Sequence, residues 1–367
     1  MDISEFKSKK MKEIIIIIPF FKDGGVERLS ANIVNYININ TNIPISIYSM
    51  GRVSTHSQSF FDNNDSKTEI FISFSLLLKK LINCDCIVYS ALTRANLFVV
   101  LLSFFFKFEL ITSVQCSIFT QEMSRIKRFF LPAVYHLIHN RSKIIHAITM
   151  GVKNDVEYLI GKSEKIVCIP NPTIDTDNVS NEIKKHLFPQ KGIIRFVSLG
   201  RLHPQKGFDI TISAFGELIK RGYTNFQYVI IGEGEERDNL EKLIDKSNLK
   251  EYVTLLGFIS DYKEIYHQND YFLFPSRYEG MGLALVEAVS SGIPVIASNC
   301  NYGPSEILDN GKFGSLIMKN FTDSSIWVKE LETILSSEKV LIEVQGLKKH
   351  LHRFSTQYFV LKILNIE

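Results

Sequence analysis

The 367-residue sequence has a single tryptophan, five cysteines and almost no excess of charge. Each shortage excludes something. The cysteines, Cys84, Cys86, Cys116, Cys168 and Cys300, are odd in number and form no CxxC pair. That points to reduced thiols in a cytosolic protein, not a disulfide frame or a zinc ribbon. The formal net charge of +3 is too small to imply nucleic acid as a partner. No His and Asp residues cluster at metal-ligand spacing, so no metal site is expected. Long apolar runs are missing too. The stretch Leu97 to Phe106 is about ten residues and ends at Lys107 and Glu109, against the roughly 20 that a spanning helix needs. The opening "KSKKMKEIIIIIPFF" imitates a signal peptide, but "KDGGVERLS" follows with no small-residue cleavage site. A buried first strand is the expectation.

What remains is an ordinary globular composition, 45% hydrophobic and 22% charged. A single core stops growing near ~250–300 residues, so this length predicts two domains. Short β-branched or aromatic runs alternate with helix-like stretches throughout. Strands are expected at 13–19, 45–49, 86–90, 110–114, 143–147 and 166–169, then at 195–199, 227–231, 253–256, 271–274 and 295–297. Continuous apolar strands separated by helices predict parallel sheets covered on both faces. The Pro-, Asn- and Asp-rich segment 169–185 reads as the linker between two halves.

Four loops carry candidate chemistry. In "IIIIIPFFKDGGVERLSANIVNYI" a strand runs into Gly24 and Gly25 and a helix begins near Val26. A glycine turn at a helix N-terminus suits a phosphate or sugar, and equally suits any tight turn. In "FVSLGRLHPQKGFDITISAF" Gly200, Arg201 and Lys206 crowd a loop after a strand. Two cations there can clamp a diphosphate, or can be solvated surface charges. In "VIIGEGEERDNLEKLI" the strand ends at Gly232 without completing GxGxxG, which argues against a nicotinamide cofactor. In "FPSRYEGMGLALVEAVSSGIPVIAS" two carboxylates, Glu279 and Glu287, have seven residues between them. Glu279 falls in a glycine loop and Glu287 less than two turns into the following helix. The amides of Gly280, Met281, Gly282 and Leu283 lie between, ready for an anion. An acid inside an apolar helix needs a partner, which makes an idle Glu287 the weaker reading.

The set "GGVER", "SLGRLHPQKG", "IIGEGEER", "LLGF", "FPSRYEGMGLALVEAVSSGIPVIAS" and "GPSEIL" resembles the retaining glycosyltransferase family 4 and its paired-glutamate EX7E motif. The resemblance spans nearly the whole chain and is densest over 195–315. It implies an α/β chain of the GT-B fold, two doubly wound Rossmann-like domains facing across a cleft. The expected domains are 1–172 on the acceptor side and 173–349 on the nucleotide-sugar side, with a C-terminal helix at about 350–367 packing back onto the first. Arg201 and Lys206 would hold the diphosphate and neutralise the leaving group. Glu287 would bind the ribose, and Glu279 would face the donor sugar. Met281 and Leu283 would offer amides to it, Phe258 would contact the base, and Gly25 would approach the diphosphate from the other domain. Arg201, Lys206 and Glu279 are thus the expected catalytic set. No cofactor or metal is implied.

One departure stands out. Where many members of that family carry a histidine after an N-domain strand, this chain reads "SVQCSIFTQ". Gln115 or Ser117 would then fill the space, while His146 at a strand end reads as structural. The segment 122–143, "EMSRIKRFFLPAVYHLIHNRSK", mixes basic and apolar residues. It suits either an anionic leaflet or an ordinary packed helix with a basic rim. The resemblance implies transfer of a sugar from a UDP- or GDP-sugar to a glycan acceptor, lipid-linked and made for a bacterial surface polysaccharide. The expected location is cytoplasmic, peripheral on the inner face of the membrane. The rival readings are a sugar-nucleotide 2-epimerase or hydrolase, which usually lacks RLxxxKG with EGxGLxxxEA, and a non-catalytic sensor. A sensor would be expected to lose one of Arg201, Lys206, Glu279 or Glu287, and all four are present.

Overall fold

The structure is a computed structural model and describes residues 12–20, 25–51, 69–82, 85–119, 125–174, 192–259, 263–336 and 346–364. Gly24 and Cys84, named above, lie outside the described residues. The chain divides into two compact units, Met1–Pro172 with Thr356–Glu367, and Thr173–Ser355.

The first unit is a seven-stranded parallel sheet. Its strands are β1 (Glu13–Ile18), β2 (Ile45–Ser49), β3 (Glu69–Phe71), β4 (Cys86–Ala91), β5 (Glu109–Val114), β6 (Ile144–Ala147) and β7 (Ile166–Cys168). They lie in the order β3-β2-β1-β4-β5-β6-β7. Its helices are α1 (Gly25–Asn40), α2 (Phe74–Ile82), α3 (Thr93–Leu102), α4 (Arg125–Arg141) and α5 (Met150–Ile160). β1 holds five isoleucines in a row, all buried, as a central strand covered on both faces requires. Thr149 caps α5, its hydroxyl accepting from the N–H of Val152 at 3.2 Å.

The second unit is a six-stranded parallel sheet in the order β10-β9-β8-β11-β12-β13. These are β8 (Ile194–Leu199), β9 (Phe226–Ile231), β10 (Val253–Gly257), β11 (Tyr271–Phe274), β12 (Val295–Ser298) and β13 (Ser315–Ile317). The helices are α6 (Phe208–Lys220), α7 (Arg237–Lys246), α8 (Lys263–Gln268), α9 (Leu283–Ser290), α10 (Pro304–Ile307), α11 (Ser324–Ser336) and α12 (Leu347–Leu351). An aromatic core of Phe196, Phe215, Phe226 and Tyr228 is sealed by the sole tryptophan, Trp327, whose indole N–H donates to the carbonyl of Phe321 at 2.8 Å. A last helix, α13 (Thr356–Leu364), belongs to the first unit, where Phe359, Val360 and Ile363 join the core of β1 and α1.

Two strands escape the sequence reading, β3 and β13. Each is three residues long and sits at a sheet edge, where one-sided pairing leaves little hydrophobic pattern to detect. In the second sheet the order reverses direction about β8, so β9 and β10 follow it on one side and β11 to β13 on the other. The loops after β8 and β11 leave the carboxyl ends of adjacent strands at this reversal. That is the switch point where open α/β sheets bind ligands.

Candidate active site

The mouth of the second unit is built by glycines. Loops after β8, β9, β11 and β12 touch through their backbones. A Cβ on Gly232 would sit 2.0 Å from the carbonyl oxygen of Gly200, and one on Gly234 2.2 Å from that of Leu202. The same addition at Gly207 would meet the Pro275 carbonyl oxygen at 2.1 Å, and at Gly303 that of Met281 at 1.7 Å. Hydrogen bonds run alongside: Gly200 N–H to Ile231 O at 3.0 Å, Leu202 N–H to Glu233 O at 2.9 Å, Gly232 N–H to Gly257 O at 2.8 Å.

On this frame Lys206 ends a short 3-10 turn, Pro204–Lys206, closed by Gly207 in the left-handed conformation. The turn is capped by His203, whose Nδ1 accepts from the Gln205 N–H at 3.1 Å. The lysine stem passes 3.4 Å from where a Gly200 Cβ would stand, and its ammonium lies 6.0 Å from the centroid of Phe274. Its Nζ donates to Glu279 Oε1 at 2.7 Å. Glu279 is 7% exposed and Lys206 21%, so the pair is largely withdrawn from water. Ser276 Oγ also donates to Glu279 Oε1, at 2.7 Å, and Gln205 Nε2 to Oε2, at 3.4 Å. Cys300 is buried beside them. Burial and, after it, the Glu279 carboxylate push its thiol up to about 12, so it stays protonated and inert.

α9 follows, opened by Gly282 in the left-handed conformation, φ 103°. The first-turn N–H groups of Leu283 and Ala284 have no acceptor within their own helix, and the helix dipole adds positive potential there. Glu287 lies one turn beyond Leu283 on the same helix and is half-buried. Lys206, Glu279, Gly200, Gly232 and the Gly280–Leu283 segment are thus brought together. Arg201 is close in the chain but more open, 66% exposed, its Nη2 3.4 Å from Glu235 Oε2. His203 Nε2 stands 3.4 Å from the other oxygen of the same carboxylate. Phe258 is exposed, just past Gly257 at the end of β10. Gly25 opens α1 in the first unit. Among the described residues no group of three His, Cys, Asp or Glu could hold a metal ion.

Sequence reasoning missed Arg277 and Asp209. Arg277 grips Asp209 with both ends of its guanidinium, at 2.7 and 2.6 Å, and that charge pair holds its own pKa above the usual guanidinium range. The two residues are 68 positions apart, and nothing in the local pattern of either announces the other.

In the first unit, polar groups converge past β5 and β6. His146 Nε2 donates to the Ile169 carbonyl, leaving Nδ1 to accept from Ser113 Oγ at 2.8 Å, with Tyr89 Oη 3.1 Å away. Full burial lowers its pKa to about 4, so the ring is neutral. Gln115 and Asn171 exchange amide hydrogen bonds at 2.6 and 3.3 Å, and Gln115 also donates to Ser113 Oγ at 2.6 Å. Ser117 Oγ donates to Asp155 at 3.4 Å. Gln115 and Ser117, the side chains named for that region, are each hydrogen-bonded within the first unit.

Residues 179–353 match the family model "Glycosyl transferases group 1". A 2-deoxystreptamine N-acetyl-D-glucosaminyltransferase of Niallia circulans is 30% identical over 261 residues, 67% of this chain and 64% of that protein. A UDP-Gal:alpha-D-GlcNAc-diphosphoundecaprenol alpha-1,3-galactosyltransferase of Escherichia coli is 36% identical over 170 residues, 44% of this chain and 43% of the other. The chain spans between 40% and 64% of the length of such curated relatives. Among solved structures, Anabaena HepE in complex with UDP superposes with a TM-score of 0.78 at 17% identity, covering 96% of this chain and 98% of that one. TarM does so at 0.70 and 16%, covering 97% of this chain and 98% of that one. The likeness is one of fold: two parallel-sheet Rossmann-like domains, consistent with the GT-B fold. The matched domain and the names of these relatives support a transferase of glycosyl groups.

Proposed function

We propose that this chain is a retaining glycosyltransferase of family 4 that moves a sugar from a nucleotide donor, UDP-linked before GDP-linked, to a glycan carried on a lipid. The observation that carries the reading is the pairing of Lys206 with the buried Glu279 at the switch point of the second sheet, beside the open N-terminus of α9. Departure of a nucleoside diphosphate builds negative charge on its phosphates and positive charge on the sugar. On this reading Lys206, Arg201 and the α9 amides stabilise the first, and Glu279 the second, as fixed charges that need no rearrangement during reaction. In this reading Glu287 takes the ribose hydroxyls, Phe258 the base, and no metal is required because cationic side chains do its work. Acceptors in the printed names of two relatives are diphospho-undecaprenol glycans, which supports a lipid-linked acceptor and a role in bacterial surface polysaccharide synthesis.

A thermal-shift and donor-hydrolysis screen over UDP- and GDP-sugars, with and without chelator, tests this. Stabilisation by one sugar nucleotide that survives chelator is the expected result. No response to any sugar nucleotide, or complete loss with chelator, sinks it.

Contact with a membrane surface is proposed through α4. Ile126, Phe129 and Phe130 are 73%, 79% and 57% exposed. Arg128 and Arg141 are exposed on the same helix. Exposed apolar side chains on a helix that also carries exposed arginines suit an anionic leaflet. Among the described residues no helix is long and apolar enough to cross a membrane. Sedimentation with phosphatidylglycerol vesicles should recover the protein, and Phe129→Ser with Phe130→Ser should abolish recovery.

A further inference from the structure

Lys206 occupies the last position of a three-residue 3-10 turn, and such turns are too short to hold themselves rigid. Something outside must fix it. Arg277 does so at three points of the segment on either side of Lys206. Its backbone N–H donates to the Gln205 carbonyl at 2.7 Å. Its Nη1 donates to the Pro204 carbonyl at 2.8 Å and to Asp209 Oδ1 at 2.7 Å, and its Nη2 to Asp209 Oδ2 at 2.6 Å. Asp209 lies in the first turn of α6, where a carboxylate is also favoured by the helix dipole. Gln205 returns the grip, its Nε2 donating to the Tyr278 carbonyl at 2.9 Å. Arg277 is two residues before Glu279, so the backbone that holds the lysine turn is the backbone that presents its carboxylate partner.

We propose that Arg277, braced by Asp209, is a positioning residue that sets Lys206 against Glu279 and so holds the diphosphate-binding cation in register. The diphosphate part of this statement rests on the function proposed above; the positioning part does not. Only a planar fork can serve Asp209 and Pro204 together, so lysine at this position would keep the charge and lose the geometry. A misplacement of about 1 Å in a binding constellation can cost a hundredfold, and here the misplaced group is a cation that has to meet a phosphate.

The test uses the full chain and two readouts. The first is the rate of Lys206 acylation by acetic anhydride, followed by mass spectrometry. The second is UDP affinity by calorimetry. In Arg277→Ala, Lys206 should acylate at least fivefold faster and UDP should bind about tenfold more weakly, with a thermal midpoint close to the parent's. Arg277→Lys should restore less than half of either effect. Asp209→Asn, milder for folding, should move both readouts in the same direction, and the Arg277→Ala/Asp209→Asn double variant should be no worse than Arg277→Ala alone. An unchanged Lys206 acylation rate in both single variants overturns the inference. If the parent binds no nucleoside diphosphate while acylation still answers to Arg277, the positioning role stands and the nucleotide reading falls.

Discussion

On the proposed function, Glu279 and a nucleoside diphosphate compete for one ammonium, and this competition can be measured. Lys206 donates to Glu279 at 2.7 Å, with the carboxylate 7% and the lysine 21% exposed. An arriving phosphate must share or take that donor while a carboxylate stands close by. Glu279→Gln keeps the size of the side chain and its bond to Ser276, and removes the charge. A charge-assisted hydrogen bond is worth ~1.5–3 kcal/mol. Part of this must be discounted because Lys206 keeps some contact with water. A gain of about 1–1.5 kcal/mol in free UDP affinity is then expected, five- to tenfold. On the same reading turnover should fall in this variant, since the charge proposed to face the sugar is gone. Calorimetry with UDP at low and at high salt is the assay, and the gain should shrink with ionic strength. In a Lys206→Ala background the gain should vanish. Equal or weaker UDP binding by Glu279→Gln would refute the competition and leave the pair a purely structural contact.

Three further outcomes are expected. Glu287→Ala should weaken UDP and the sugar nucleotide alike, roughly tenfold for a lost charged hydrogen bond; a variant impaired only toward the sugar nucleotide, in the same calorimetric titration, would take Glu287 off the ribose. His146, ordinarily at 6.5, is held near 4 by burial, so the unfolded chain takes up a proton that the folded chain refuses between these values. Stability should be full above pH 6.5 and fall toward pH 4, by up to about 3 kcal/mol, and urea unfolding of His146→Gln at pH 4.5 and 7 should lose that difference. Gly303→Ala places a Cβ 1.7 Å from a carbonyl oxygen at φ 107°; a loss of at least about 2 kcal/mol in urea unfolding is expected, and a neutral result would mean the loop after β12 yields freely.

Most of the strand positions were readable because parallel strands buried on both faces print as unbroken apolar runs, as in Glu13–Ile18 and Tyr271–Phe274. The edge strands Glu69–Phe71 and Ser315–Ile317 were not, being three residues each. Spacing along one loop and its helix gave Glu279 and Glu287 as a pair. The partner of Glu279 was harder to see, being Lys206, 73 positions earlier and on a different strand's loop. The Arg277–Asp209 grip was hidden for the same reason. Two surface-type charges look alike in a sequence whether or not a fold brings them together. Gln115 shows the limit in the other direction. A polar residue at a strand mouth reads as available for a ligand, and its amide is instead tied to Asn171 and Ser113.

The backbone-to-backbone seams at Gly207, Gly232, Gly234 and Gly303 bear on how such a mouth can diverge. Where loops meet through carbonyls and α-carbons, no side chain is present to be exchanged for another, and any addition forces the loops apart. Diversification of ligand choice is thereby channelled to the few positions whose side chains stand clear of the seams, such as Phe258 and Tyr278, both exposed. On the proposed function, libraries built on those two positions should leave the frame unaltered, whereas substitutions at the seam glycines should disturb it.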